Sequence, residues 1–233
     1  MNHRRFGISD DGQSLIELTH SRHYQDGAPF CNNETLSFIR DDSEHRQNRI
    51  VIDGACYGLL YLPRFVLRSD GELQLLSSRW SSIIVDSALS VSSLVVAANN
   101  EGSIVFRDKV ESSTVTVALT DSAYLEMRDV VDADYVSMIT LHGAMIYMDS
   151  LSDSNTVDLA ARNHSLIETA NVLNVRSLSL SLSHFAAVRI PHLVDTHLSF
   201  RRQENTQITL PQPHGNIQSD RMADSIDFSS SSN

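Results

Sequence analysis

The sequence predicts an all-β fold, a single-stranded right-handed parallel β-helix (β-solenoid) with rungs of ~21 residues, because short apolar strands recur at a fixed spacing. The segments between them are also too short for a strand-helix-strand crossover, which takes about a dozen residues or more. The clearest copy is Arg176 to Ile190, "RSLSLSLSHFAAVRI", where leucine and serine alternate three times and a second apolar run begins within five residues.

The first strand of each rung starts at a small residue. The chain reads Ser82-Ile-Ile-Val, Ser103-Ile-Val-Phe, Ala123-Tyr-Leu-Glu, Ala144-Met-Ile-Tyr, Ser165-Leu-Ile-Glu and Ala186-Ala-Val-Arg, with a weaker seventh start at Thr206. The intervals are 21, 20, 21, 21, 21 and 20 residues. Seven residues after each of the first six starts comes a corner aliphatic: Leu89, Val110, Val130, Leu151, Val172 and Leu193. A second strand then opens at Leu94, Val115, Val136, Val157, Leu178 and Leu198. It alternates with period two through Val96, Val117, Met138, Leu159, Leu180 and Phe200. Stacking such rungs in parallel, in register at ~4.8 Å, lines the inward residues up as columns. For the first strand that column is expected to be Ile84, Val105, Leu125, Ile146, Ile167 and Val188.

Counting backward, Leu73 and Leu75 lie 21 residues before Leu94 and Val96, and Ile52 lies 21 before Leu73. The stack is therefore expected to begin near residue 50. Three regions follow: residues 1–48, whose strand-like "SLIEL" and "TLSFIR" cap the open end; a β-helix over 49–210; and a polar, partly disordered tail over 211–233.

Charge narrows the partners. With 18 Lys+Arg against 29 Asp+Glu, the net charge of −11 repels phosphate backbones, so nucleic acid is not expected as a partner. Lys109 is the only lysine. No apolar run approaches the ~18 residues of a membrane helix, so no membrane insertion is expected. The N-terminus has a positive start but no apolar h-region, and no export address is read in it. Cys31 and Cys56 allow one disulfide at most and are read as ordinary thiols.

The stretch "RIVIDGACYGLLYLPRFVLRSDGELQLLSSRWSSIIVDSALSVSSLVVAANNEGSIVF", Arg49 to Phe106, resembles the autotransporter-adhesin head-domain family known as the GIN domain, or DUF2807. The "DG-x-L-x-I" strand of that family is matched by Asp70-Gly71-Glu72-Leu73-Gln74-Leu75, and the resemblance spans roughly residues 35–210. It implies a β-helical protein of the envelope or cell surface, with an adhesive role and no known chemistry. The family's "GSGD" corners are replaced by Glu101-Gly102-Ser103, Asp121-Ser122-Ala123, His142-Gly143-Ala144, Asn163-His164-Ser165 and His184-Phe185-Ala186. With only two glycines left, tight left-handed turns are not expected at these corners.

No nucleophile elbow, phosphate loop, dinucleotide fingerprint or zinc-helix string occurs. No catalytic, cofactor-binding or metal-ligating residue is assigned, and no cofactor is expected. On a β-helix, chemistry would be carried by stacked outward columns. One such column is a polar corner ladder of Asp121, His142, Asn163 and His184, continuing to Glu204 or Asn205, whose residue types suit bent backbone. Its two histidines stand two rungs apart, ~9.6 Å from the strand spacing, too far for one zinc ion. His20 and His23 form a second, looser pair. Asp108, Arg128 and Asp149 suggest a surface ion-pair ladder.

The outer face of the second strand is a candidate binding face: Thr116, Ser137, Asp158, Ser179 and Ser199, with Val95, beside Ala97, Ala118, Ile139, Ala160 and Ser181. All but Asp158 are small or apolar. Flat neutral sheets are surfaces that proteins blunt with charge when they must stay alone. The expected function is a non-enzymatic binding or structural module contacting protein or carbohydrate, with homo-oligomerisation open. A carbohydrate-active lyase or hydrolase, or a self-assembling bactofilin-like solenoid, is the alternative.

Overall fold

Inward residues one winding apart pair in parallel over most of the chain, as a computed structural model shows. The structure describes residues 68–78, 82–85, 88–194, 196–203 and 205–211, together with strands at 4–8, 15–17, 36–40, 48–52, 58–61, 217–219 and 227–229. Twenty strands and no helix occur among the described residues. No helix there is long and apolar enough to cross a membrane. Cys31, Cys56, His20, His23 and Glu204 lie outside the described residues.

The strands preceding the regular stack are β1 (Arg4–Ile8), β2 (Leu15–Glu17), β3 (Leu36–Arg40), β4 (Asn48–Ile52), β5 (Gly58–Tyr61) and β6 (Arg68–Ser78). The stack continues with β7 (Ser82–Val85), β8 (Leu89–Asn99), β9 (Ser103–Phe106), β10 (Val110–Leu119), β11 (Tyr124–Thr140), β12 (Met145–Arg162), β13 (Leu166–Thr169) and β14 (Val172–Ser183). It closes with β15 (Ala187–Arg189), β16 (His192–Val194), β17 (His197–Arg202), β18 (Gln207–Pro211), β19 (Ile217–Ser219) and β20 (Asp227–Ser229).

The protein is thus a β-solenoid of about six turns of roughly 21 residues. Each turn has three legs. In β9 and β10 they are residues 103–106, 110–112 and 114–119, and inward-outward alternation slips at Ser113-Thr114, where the chain bends between the second and third leg.

The third leg stacks as the sequence predicts. Leu73, Leu94, Val115, Val136, Val157, Leu178 and Leu198 pair in one column, and Leu75, Val96, Val117, Met138, Leu159, Leu180 and Phe200 in the next. All are buried. Fully burying one aliphatic side chain contributes roughly 1.5–3 kcal/mol, so the columns are the main source of stability. A third inward column, Ser77, Ala98, Leu119, Thr140, Ala161 and Leu182, runs beside them.

The first leg differs from expectation by one residue at its amino end. Leu125 pairs with Ile104, and Ile104 with Ile83, so the column is Ile83, Ile104, Leu125, Ile146, Ile167, Val188 and Ile208, not one through Ile84 and Val105. The small corner residue of that turn is Gly102, not Ser103. Ser103 instead faces outward enough for its hydroxyl to donate to that of Ser82 at 2.7 Å. The corner aliphatics likewise run Leu89, Val110, Val131, Leu151, Leu173 and Leu193, with Val131 and Leu173 replacing the expected Val130 and Val172. Register irregularities at 127–130 and 151–154 accommodate the extra residues, as β-bulges do.

Ile52 does not stand over Leu73. Asn48 pairs with Leu73 and Ile50 with Leu75, because the link from β4 to β6 makes this winding 25 residues long rather than 21. At this end β2 pairs antiparallel with β1, and β3 antiparallel with β4, so both parallel ladders terminate in reversed strands. Beyond Pro211, β19 pairs with β17 and β20 with β18, extending both ladders.

The corners overturn the expectation drawn from their missing glycines. Both central residues have positive φ: Asn100 and Glu101, Asp121 and Ser122, His142 and Gly143, Asn163 and His164, His184 and Phe185. Three of the turns close with a backbone hydrogen bond to the fourth residue: Gly102 to Asn99 at 2.8 Å, Ala123 to Thr120 and Ala144 to Leu141, both at 3.2 Å. Two positive-φ residues with this bond mark type I′ turns. Asn, Asp and His are the non-glycine residues that tolerate the left-handed region best, which is why the first corner position reads N, D, H, N, H.

Among the described residues, two buried hydroxyls have no hydrogen-bond partner, Ser154 Oγ and Thr169 Oγ1. Thr169 is 1% exposed and in register with Met148 of the preceding winding. A buried polar group left unpaired costs about 1–3 kcal/mol. Thr169→Val, which keeps the shape and removes the hydroxyl, should therefore raise stability by about 1 kcal/mol in denaturant unfolding. A loss of stability would show that this oxygen has a partner.

Candidate functional site

The outer face of the third leg is built by period-two alternation, which sends every residue between two core positions outward. Val95, Thr116, Ser137, Asp158, Ser179 and Ser199 pair rung to rung in a single column. The adjoining column is Ala97, Ala118, Ile139, Ala160 and Ser181, and it continues to Arg201, a residue the sequence reading left off. Extending the column by one rung would have found it.

Two large side chains stand out on this face, Ile139 at 43% and Tyr135 at 39% exposure. The Tyr135 hydroxyl donates to Asp158 Oδ2 at 3.0 Å across one rung. That bond, first among its causes, raises the phenol pKa above its ordinary value, since an ionised ring would confront the carboxylate. Asp158, the acidic residue of the candidate column, is therefore tethered.

Successive corners are joined through their backbones. Glu101 N–H donates to the Asp121 carbonyl, Ser122 N–H to His142, Gly143 N–H to Asn163 and His164 N–H to His184, at 2.8 to 3.0 Å. What Asp121, His142, Asn163 and His184 share is thus a left-handed backbone with its carbonyl used by the preceding turn. Among their side chains, Asp121 Oδ1 lies 3.3 Å from His142 Nδ1, and Thr120 Oγ1 lies 3.2 Å from the same nitrogen. Both members of the Asp121–His142 pair are at least half exposed, so the contact is worth little by itself. No group of three or more His, Cys, Asp or Glu able to hold a metal occurs among the described residues. One position further along each corner, the rings of His164 and Phe185 stack with centroids 5.1 Å apart and planes 2° from parallel.

The expected Asp108, Arg128, Asp149 ion ladder does not form. Register places Phe106 over Met127, one residue away from the spacing assumed, and Arg128 forks onto Glu126 of its own strand at 2.8 and 3.0 Å. Asp108 accepts from the Lys109 backbone N–H, and Asp149 accepts from the Asn171 amide, both at 2.8 Å. Such amide-to-carboxylate bonds recur one winding apart, from Asn155 to Asp134 at 3.2 Å and from Asn174 to Asp153 at 2.8 Å. The signal was legible as an Asn following an Asp by 21 or 22 residues. Lys109 bridges Glu111 and Asp132, at 2.6 and 3.3 Å, two carboxylates stacked in register. Its pKa is raised, first by the bond to Glu111.

Compared with protein-family models, curated proteins and solved structures, the chain matches none.

Proposed function

We propose that the chain is a non-enzymatic binding or structural module, adhesin-like and placed at a cell surface or envelope, which contacts protein or carbohydrate through the outer face of its third leg. The observation that carries this reading is the face itself. Over six consecutive windings, Val95 to Ser199 stay in register with small, mostly uncharged side chains and no inserted loop between the strands. Loops are where enzymes on rigid scaffolds place their chemistry, and windings held near 21 residues give little room for them. The resemblance of residues 35–210 to the GIN domain supports the adhesin-like role.

The test is a glycan array combined with sedimentation of the purified chain. Retention of a glycan, or self-association, should be lost when Thr116→Glu and Ala118→Glu place two long charged side chains on the face. Melting should stay close to the parent, because both positions are exposed. Retention that survives both changes would move the contact elsewhere. A chain that stays monomeric and holds no glycan would remove the carbohydrate and self-association readings together.

A further inference from the structure

Toward the carboxyl-terminal end of the same face the small residues open a notch of about 340 Å³. Its floor is the rung of Ser181 and Ser183, where the alternating Leu-Ser sequence turns leucine into the core and serine outward. Arg162 stands on the preceding rung, in register with Ser183, and Arg201 on the following rung, in register with Ser181. The two arginines therefore bracket a floor without bulk, separated along the stack by two strand spacings, ~9.6 Å.

Neither guanidinium has a carboxylate partner among the described residues, whereas Arg128 and Arg189 each have one and Lys109 has two. In a chain of net charge −11, two unpaired arginines facing one cavity form a local reversal of sign. A guanidinium is the group best shaped to grip a carboxylate through paired N–H bonds. Asn163 and Gln203 add side-chain amides to the walls, so the lining offers donors and acceptors suited to several hydroxyl groups. The volume lies at the lower end of the ~300–1,000 Å³ usual for small-ligand sites. The corner bordering the notch carries the stacked His164 and Phe185 rings, and Phe185 is 57% exposed, an apolar surface for the C–H face of a sugar.

We propose that this notch binds an acidic saccharide, with a uronate carboxylate held between Arg162 and Arg201 and the ring hydroxyls on the serine floor. This deepens, and rests on, the carbohydrate reading of the proposed function. An acidic peptide fits less well, because an extended peptide is recognised through a free strand edge, and the middle of a continuous parallel ladder has none.

Calorimetric titration of the whole chain with trigalacturonate at low salt tests this, with maltotriose, tetraglutamate and inorganic sulfate as comparison probes. Trigalacturonate should bind, more weakly as salt rises. Arg162→Gln and Arg201→Gln should each weaken it about tenfold or more, the loss of a charge-assisted pair, with melting unchanged. No binding of trigalacturonate, or binding indifferent to both substitutions, would overturn the proposal. Tetraglutamate or sulfate binding as tightly would overturn the saccharide assignment. Trigalacturonate binding that is lost in the Thr116→Glu, Ala118→Glu variant but kept in both arginine variants would sink the notch while sparing the face.

Discussion

Val115→Asp should leave no cooperative unfolding transition. Val115 is 0% exposed and sits in register between Leu94 and Val136, with aliphatic neighbours above and below. A carboxyl group placed there meets no described donor, and burying such a group without a hydrogen bond costs several kcal/mol whether it stays charged or takes up a proton. A typical domain has only about 5–15 kcal/mol in total. The neighbouring change Thr116→Asp points the same group outward from an exposed position and should shift stability by no more than about 0.5 kcal/mol. Circular dichroism melts and limited proteolysis of the pair would decide. Similar melting of the two variants would mean that Val115 does not line the interior.

Gly102→Ala should cost more than Gly143→Ala, although only Gly143 has a left-handed backbone, at φ +76°. A Cβ on Gly102 would lie 2.6 Å from the Ser77 carbonyl oxygen, 2.8 Å from its carbon and 2.9 Å from the Asn99 oxygen. All three are backbone atoms, so relief requires moving one winding against the next. That places the loss at about 3 kcal/mol, the upper end of overpacking costs. A Cβ on Gly143 meets only the Ser122 hydroxyl at 3.6 Å, leaving a conformational cost of about 1 kcal/mol. Denaturant unfolding of both variants gives the ranking, and the reverse order would refute the close approach at Gly102.

The difference between these glycines also shows which parts of the fold could be read from residues alone. The third leg was legible because leucine and valine alternate strictly with small polar residues and recur at 21, so only one register buries them. The first leg was not, because Ile83-Ile84 and Ile104-Val105 are aliphatic runs that satisfy either register. Taking Ser103 as the corner hid the true small-residue series Gly102, Ala123, Ala144, Ser165 and Ala186, which keeps a constant interval of 21. Val130-Val131 and Val172-Leu173 are ambiguous for the same reason, and the register irregularities at 127–130 and 151–154 go with one choice between neighbours of similar hydrophobicity. At the corners the residues of the polar ladder were identified, but their backbone was misjudged by weighing absent glycine above the tolerance of Asn, Asp and His. Arg162 and Arg201 lie 39 residues apart, and only the stacked register brings them to either side of one rung.

Among the described residues from β6 onward, each winding pairs only with the windings next to it, about 21 residues before and after. Order can therefore be laid down vectorially as the chain leaves the ribosome, each new coil settling on a finished one without waiting for distant sequence. The reversed strands β2 and β3 precede the regular windings in the chain, so each later winding is added at the end of the rod away from them.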